Sequence, residues 1–259
     1  MPRALIDGID IAWERAGEGE PLLFLHGSGT TMAQMSLVRR PFEAAFDVLT
    51  LDHRATGESA VPESPFTMAD AAADVLGLLD LAGWDRCRIV GLSFGGMVAL
   101  ELAVTAPERV ERLALLCTSA GGEGGSSFPL HDGPAPPEAV DTRFTPAWLA
   151  EHRRDRLMID LAGKRLAGKE HDQIKGEALQ LQARRGHDVW DRLGRIASPT
   201  LVAVGRYDAM APPANGEAIA SRVAGAEVRA YEGGHLFFVQ DPDAVPEIVD
   251  WLSPPATPS

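Results

Sequence analysis

The chain has 259 residues, 45% hydrophobic and 24% charged, enough to bury one large α/β core. It has no run of 18 apolar residues to span a membrane and no apolar signal core before Asp7. The formal charge is −13, from 24 basic and 37 acidic residues, so neither nucleic acid nor an anionic membrane surface is an expected partner.

Taken in chain order, residues 4–7 and 10–14 flank Gly8 and read as an edge hairpin. Short, nearly continuous apolar runs follow at 21–25, 47–51, 88–92, 113–117, 200–204 and 227–231, the pattern of strands buried on both faces of a parallel sheet. Helical patterns alternate with them. Residues 68–81 carry apolar side chains at helical spacing and stop at Gly83. Residues 94–105 end before Pro107, and 213–223 and 244–252 complete the set. This alternation predicts an α/β fold class, a mostly parallel central sheet with helices on both faces. Cys87 and Cys117 lie in two of the strand-like runs. Two cysteines make neither a disulfide framework nor a zinc cluster, and a reducing cytoplasm is the expected compartment.

Residues 121–188 break the rhythm. They open on Gly121-Gly122-Glu123-Gly124-Gly125, read as a flexible hinge, and continue through Pro129, Pro134, Pro136 and Pro137. Two amphipathic helical stretches follow, near 146–162 and 171–185. We read this as a helical lid of about 65 residues inserted in a core made of 1–120 and 189–253. The last residues, 254–259, read as a disordered tail. Residues 143–195 hold 12 Lys/Arg against 8 Asp/Glu, leaving −17 on the rest of the chain. That basic excess suits ordinary solvated helix faces, or a draw for anionic substrates.

The stretch Gly91-Leu92-Ser93-Phe94-Gly95 joins the strand at 88–92 directly to the helix at 94–105. A G-x-S-x-G match arises by chance in roughly one chain in eight of this composition, so its strand–turn–helix setting carries the weight. A turn that sharp strains its central residue and admits only small side chains two positions to either side. Gly91 and Gly95 meet that demand, and the helix N-terminus beneath Ser93 favours negative charge. A serine hydroxyl needs a base, and the base needs an orienting carboxylate. Of seven histidines, His131, His152, His171 and His187 fall in the lid segment, where solvated histidines are the rule. His235 instead follows the last strand in Tyr231-Glu232-Gly233-Gly234-His235, at the strand ends where such sheets place active sites. Asp208 follows the strand at 200–204, although an aspartate before Pro212 and Pro213 would also suit a helix cap. The order Ser93, Asp208, His235 is one of three known for this constellation. For the developing oxyanion two backbone N–H donors are needed. Phe94 is expected to supply one and Ser28, after His26-Gly27, the other, with His26 bracing the loop.

These elements together resemble the α/β-hydrolase superfamily over nearly the whole chain. Asp52-His53-Arg54-Ala55-Thr56-Gly57-Glu58-Ser59 is similar to the family's D-x-R-G-x-G-x-S loop, with Ala55 where glycine is usual. The G-L-S-F-G-G turn and short lid look most like carboxylesterases and 3-oxoadipate enol-lactonases, and a polyketide methylesterase branch shares the D-H-R-x-T-G-x-S loop. The resemblance implies a serine hydrolase of carboxylic esters or lactones working through an acyl-enzyme. Haloalkane dehalogenases and epoxide hydrolases of similar fold use an aspartate where this chain has Ser93. No H-E-x-x-H, P-loop lysine or G-x-G-x-x-G after a strand is present, so no metal or other cofactor is expected. With His235 as base, activity should rise across roughly pH 6 to 7.5. Expected partners are a small-molecule ester or lactone and, as an oligomer, a homodimer. Met32, Met35, Met97, Phe128, Trp148, Met158, Leu236 and Phe237 flank the loops or lie in the lid and are candidates for an apolar pocket wall. Whether the basic excess of the lid reaches that pocket separates a neutral ester from an anionic lactone. Two alternatives stay open: a hydrolase of C–C bonds in ring-cleavage dienoates, and an inactive binding protein on the same fold.

Overall fold

The apolar runs pair side by side into one sheet. In the computed structural model, which describes residues 1–125, 143–154 and 171–253, eight strands form the sheet in the order β1-β2-β4-β3-β5-β6-β7-β8. They are β1 (Arg3–Ile6), β2 (Ile9–Ala16), β3 (Pro21–Leu25), β4 (Asp47–Leu51), β5 (Cys87–Leu92), β6 (Val110–Leu116), β7 (Thr200–Gly205) and β8 (Glu227–Tyr231). The hairpin β1–β2 and the β2–β4 pair are antiparallel; every later pairing is parallel. Strands β3, β5, β6 and β7 are buried along nearly their whole length, as their apolar composition demands. Strand β8 departs from that expectation. It lies at the sheet edge, and only Tyr231 of its residues is buried. An edge strand has one neighbour, so Glu227 and Arg229 can face water.

Two apolar layers sandwich the sheet. One holds Val75, Leu78 and Leu79 of α2 (Met68–Leu81) with Val98, Leu102 and other residues of α3 (Phe94–Thr105). The other joins Phe42 to Ile248 and Leu252. Helix α2 starts at a capping box in which Thr67 and Asp70 satisfy each other's backbone N–H groups, worth about 1 kcal/mol. It ends before Gly83, whose φ of +72° closes the turn. Helix α1 (Ser36–Glu43) has no counterpart in the sequence expectations. Pro41 inside it conceals a segment whose Arg39 is buried against Glu14 and Glu43.

Between β6 and β7 the described residues of 121–188 contain α4 (Pro146–Glu151) and α5 (His171–Arg185). An isolated bridge between Gly121 and Asp188 joins the two ends of this excursion. Its glycines are close-packing positions rather than the expected free hinge. A Cβ on Gly121 would lie 1.9 Å from the His187 carbonyl oxygen, and one on Gly124 would lie 2.0 Å from the Trp190 ring. The chain closes with α6 (Pro213–Arg222), α7 (Phe237–Gln240) and α8 (Ala244–Leu252). Phe128, His131 and Met158, and the tail 254–259, lie outside the described residues. Among the described residues no helix is long and apolar enough to cross a membrane.

Candidate active site

Strand β5 and helix α3 meet at Ser93, whose backbone sits at φ 51°, ψ −111°. A non-glycine residue there is strained by about 1–3 kcal/mol, so its neighbours must hold it. They do: the Ser93 N–H donates to the Leu116 carbonyl at 2.9 Å, and the Ser93 carbonyl accepts from the Met97 N–H at 3.1 Å and the Thr118 hydroxyl at 2.7 Å. The flanking glycines answer to space. A Cβ on Gly91 would stand 2.7 Å from the Gly95 oxygen, and one on Gly95 only 2.3 Å from the Leu25 oxygen. The turn is thereby pressed against the end of β3.

Strands β7 and β8 bring the other two side chains in. Gly205 ends β7, and a Cβ there would lie 2.2 Å from the Gly234 oxygen, so this glycine lets the loop carrying His235 close over the loop carrying Asp208. The His235 Nδ1 lies 2.8 Å from Asp208 Oδ2 and its Nε2 lies 3.0 Å from Ser93 Oγ. Asp208 is 4% exposed and His235 6%. The second Asp208 oxygen, Oδ1, accepts the N–H groups of Met210 at 2.8 Å and Ala211 at 2.9 Å. Asp208 does not cap the helix that follows, whose N-cap is Pro212 with no side-chain bond; one of its oxygens closes the local turn while the other faces the imidazole. A buried carboxylate needs such donors. The arrangement can move a proton from the serine hydroxyl to Nε2 while Nδ1–H stays bonded to the carboxylate.

Gly27 adjoins the serine, its would-be Cβ 3.6 Å from the Ser93 Cβ. Among the described residues no group accepts the backbone N–H of Ser28 or of Phe94. Phe94 is fully buried, its ring edge-on to His53 at 5.1 Å. Below this loop His26 is braced: Nδ1 is 3.1 Å from the Thr30 hydroxyl, and its carbonyl lies 3.1 Å from His53 Nε2. Burial drives the His53 pKa down to about 3, with the neighbouring His26 adding to it, so the ring is neutral. Burial also pushes the Asp52 carboxyl up, but His26 and the N–H groups of Glu58 and Met32 outweigh it and hold the group below the usual range. Ala55, in the same loop, stands at φ +68°. That left-handed conformation explains why glycine suits the position, and alanine costs about 1–2 kcal/mol there.

Helix α5 lies over these loops. Gln180, 2% exposed, accepts the Gly29 N–H at 3.0 Å and donates to the Arg54 carbonyl at 3.3 Å and to the Thr56 hydroxyl. His187, expected to be solvated, is buried; its Nε2 meets the Ser119 carbonyl at 3.2 Å, and burial lowers its pKa to about 4. The sequence shows nothing that marks Gln180 except a polar residue beside the apolar Leu179 and Ala183. The candidate wall residues scatter. Met32 is fully buried and Met97 5% exposed. Leu236 is half-buried and donates its N–H to the Arg143 carbonyl. Trp148 stacks between Phe144 and His152 and lines a cavity of about 530 Å³ with Tyr207, Ala209 and Gln240. A second cavity, about 630 Å³, lies between α5 and the Asp52–Ser59 loop. Ser93 is in the lining of neither.

Comparison with known proteins identifies the family of the fold. The family profile described as alpha/beta hydrolase fold matches residues 20–151, about half the chain. A protein of Variovorax paradoxus (strain S110), named as a candidate carbamate hydrolase, is 32% identical over 211 residues, covering 75% of this chain and 76% of its own. The 2-hydroxy-6-oxo-6-phenylhexa-2,4-dienoate hydrolase of Comamonas testosteroni is 32% identical over 226 residues, covering 78% and 76%. Among solved structures, the enol-lactonase from Burkholderia xenovorans LB400 matches with a TM-score of 0.81 at 25% identity, over 97% of this chain and 99% of that one. The chain belongs to the alpha/beta hydrolase fold family and is a hydrolase of that family.

Proposed function

We propose that this hydrolase cleaves a carboxylic ester or lactone by acyl transfer to Ser93. The observation that carries the reading is the unbroken line of contacts from Ser93 Oγ through His235 to Asp208, at 3.0 and 2.8 Å. His235 takes the serine proton as Oγ attacks the carbonyl, and Asp208 holds the imidazole in the tautomer that leaves Nε2 free to accept. The N–H groups of Phe94 and Ser28 receive the oxyanion, aided by the N-terminus of α3. His235 then protonates the leaving alkoxide, and water, deprotonated by the same imidazole, releases the acid. Helix α5 acts as part of a lid over this chemistry, with Gln180 fastening it to the loop that carries Ser28.

Ser93→Ala should lower turnover of a p-nitrophenyl ester by about 10⁴-fold or more, and a fluorophosphonate should label the wild type at Ser93. Near-normal turnover in the variant would sink the assignment. The Comamonas relative supports a second reading, hydrolysis of a C–C bond in a ring-cleavage dienoate. Parallel assays with a short p-nitrophenyl ester and such a dienoate separate the two, since only a C–C hydrolase consumes the latter.

A further inference from the structure

A trans peptide is planar, and its C=O and N–H point in opposite directions. Whatever grips the carbonyl therefore aims the N–H of the same peptide. The Phe94 N–H shares its peptide with the Ser93 carbonyl, and the Ser28 N–H shares its peptide with the Gly27 carbonyl. In both, a threonine grips the carbonyl. The Thr118 hydroxyl donates to the Ser93 carbonyl at 2.7 Å, and the Thr30 hydroxyl donates to the Gly27 carbonyl at 2.8 Å. The two N–H groups on the far side meet no acceptor among the described residues.

The chain is shaped to bring these hydroxyls in. Just beyond β6, Cys117 stands at φ +44°, a left-handed backbone that persists for such a residue only where its surroundings hold it. The next residue is Thr118, 3% exposed. Facing it is Gly96, where a Cβ would lie 2.6 Å from the Thr118 Cβ. The Met97 N–H also reaches the Ser93 carbonyl, at 3.1 Å. That bond belongs to the first turn of any helix, whereas the threonine is an added donor. On the other loop, the Thr30 oxygen stands 3.1 Å from Nδ1 of the fully buried His26, so the ring anchors the threonine.

We propose that Thr118 and Thr30 are positioning residues for the oxyanion, each holding the peptide whose N–H receives it. The proposal rests on the reading that Ser93 is the nucleophile and that the Phe94 and Ser28 N–H groups meet the charge. Neither threonine need touch the substrate. A hydrogen bond to the carbonyl fixes the direction of the N–H and polarises it into a stronger donor. The benefit is felt where negative charge develops, and therefore in the transition state rather than in substrate binding.

The test exchanges one hydroxyl for a methyl of similar size. In Thr118→Val, kcat for a p-nitrophenyl ester should fall about 10- to 50-fold with KM within about twofold, and Thr118→Ser should restore most of it. An aryl trifluoromethyl ketone, which adds to a serine and presents an oxyanion, should bind Thr118→Val more weakly by a similar factor. The corresponding alcohol, which cannot form the adduct, should bind as it does to wild type. The pH midpoint of kcat/KM should stay in place, because His235 and Asp208 are untouched. Thr30→Val, on a separate and half-buried loop, should repeat the pattern, and it decides the matter if Thr118→Val does not fold. A kcat within about twofold of wild type in the folded variants overturns the proposal, and so does a loss that leaves the trifluoromethyl ketone unaffected. Fluorophosphonate labelling of wild type runs alongside. If Ser93 is not labelled, the serine reading fails and takes this proposal with it; if it is labelled and kcat is unmoved in the variants, only the role of the threonines fails.

Discussion

At Ser93 a strained backbone, a neighbouring imidazole and a buried carboxylate meet, and each can be probed alone. The most informative single change is Asp208→Asn. The amide keeps the shape of the carboxylate, but an NH₂ facing Nδ1 forces the proton onto Nε2, which then cannot accept from the serine. Turnover of a p-nitrophenyl ester should drop on the order of 10⁴-fold, while circular dichroism still reports a folded chain. A loss of less than about tenfold would remove Asp208 from the proposed role. At this scale the sequence was informative where chemistry narrows the choice of residue: a serine between glycines, an aspartate after one strand and a histidine after the next. It was silent about Gln180, whose meaning depends on what lies across from it.

Among the elements, the junction of β5 with α3 sets the position of Ser93, and its glycines are structural requirements. Gly95→Ala would put a methyl 2.3 Å from the Leu25 oxygen and 2.7 Å from the His26 oxygen. Backbone atoms cannot turn aside as side chains do, so β3 and the turn must part. We expect a loss of about 2–4 kcal/mol in urea unfolding, with activity falling in step. Gly194→Ala, where no atom lies within 4 Å of the added methyl, should stay within about 0.5 kcal/mol of the wild type. The strands and the helices α2 and α8 were legible because their apolar patterns are intact, and α3, buried on every side, because its run of Ala, Leu and Met stops before Pro107. Helix α1 was not, because Pro41 reads as a breaker although the helix holds it inside. The exposed character of β8 follows from its edge position, which no local pattern announces.

At the scale of the molecule, the buried neutral histidines set an acid limit. The ordinary histidine pKa is about 6.5; folding lowers it to about 4 at His187 and about 3 at His53. Above pH 6.5 both are neutral in either state and contribute nothing. Below it the unfolded chain takes up protons that the folded chain refuses, so stability falls by about 1 kcal/mol per pH unit for each histidine. The fall ends when the folded-state value is reached. Thermal unfolding between pH 6.5 and 4 should show this slope, and His187→Gln should reduce it by roughly half. A slope unchanged by that variant would assign the acid sensitivity elsewhere.

The sequence alone determined the layered α/β class, the hairpin at its start, the order of strands and helices and the strand–turn–helix around Ser93. Each of these is written in local periodicity, in turn residues and in steric demands that a neighbouring glycine reveals. Only the tertiary structure decided that residues 142 positions apart, Ser93 and His235, stand within a hydrogen bond. It alone decided that Gly205 permits two loops to close on one another, and that a helix from residues 121–188 carries Gln180 to the loops after β3 and β4. Those facts depend on strand order and on the direction of a crossing helix, and both are settled by packing between segments that are distant in the chain.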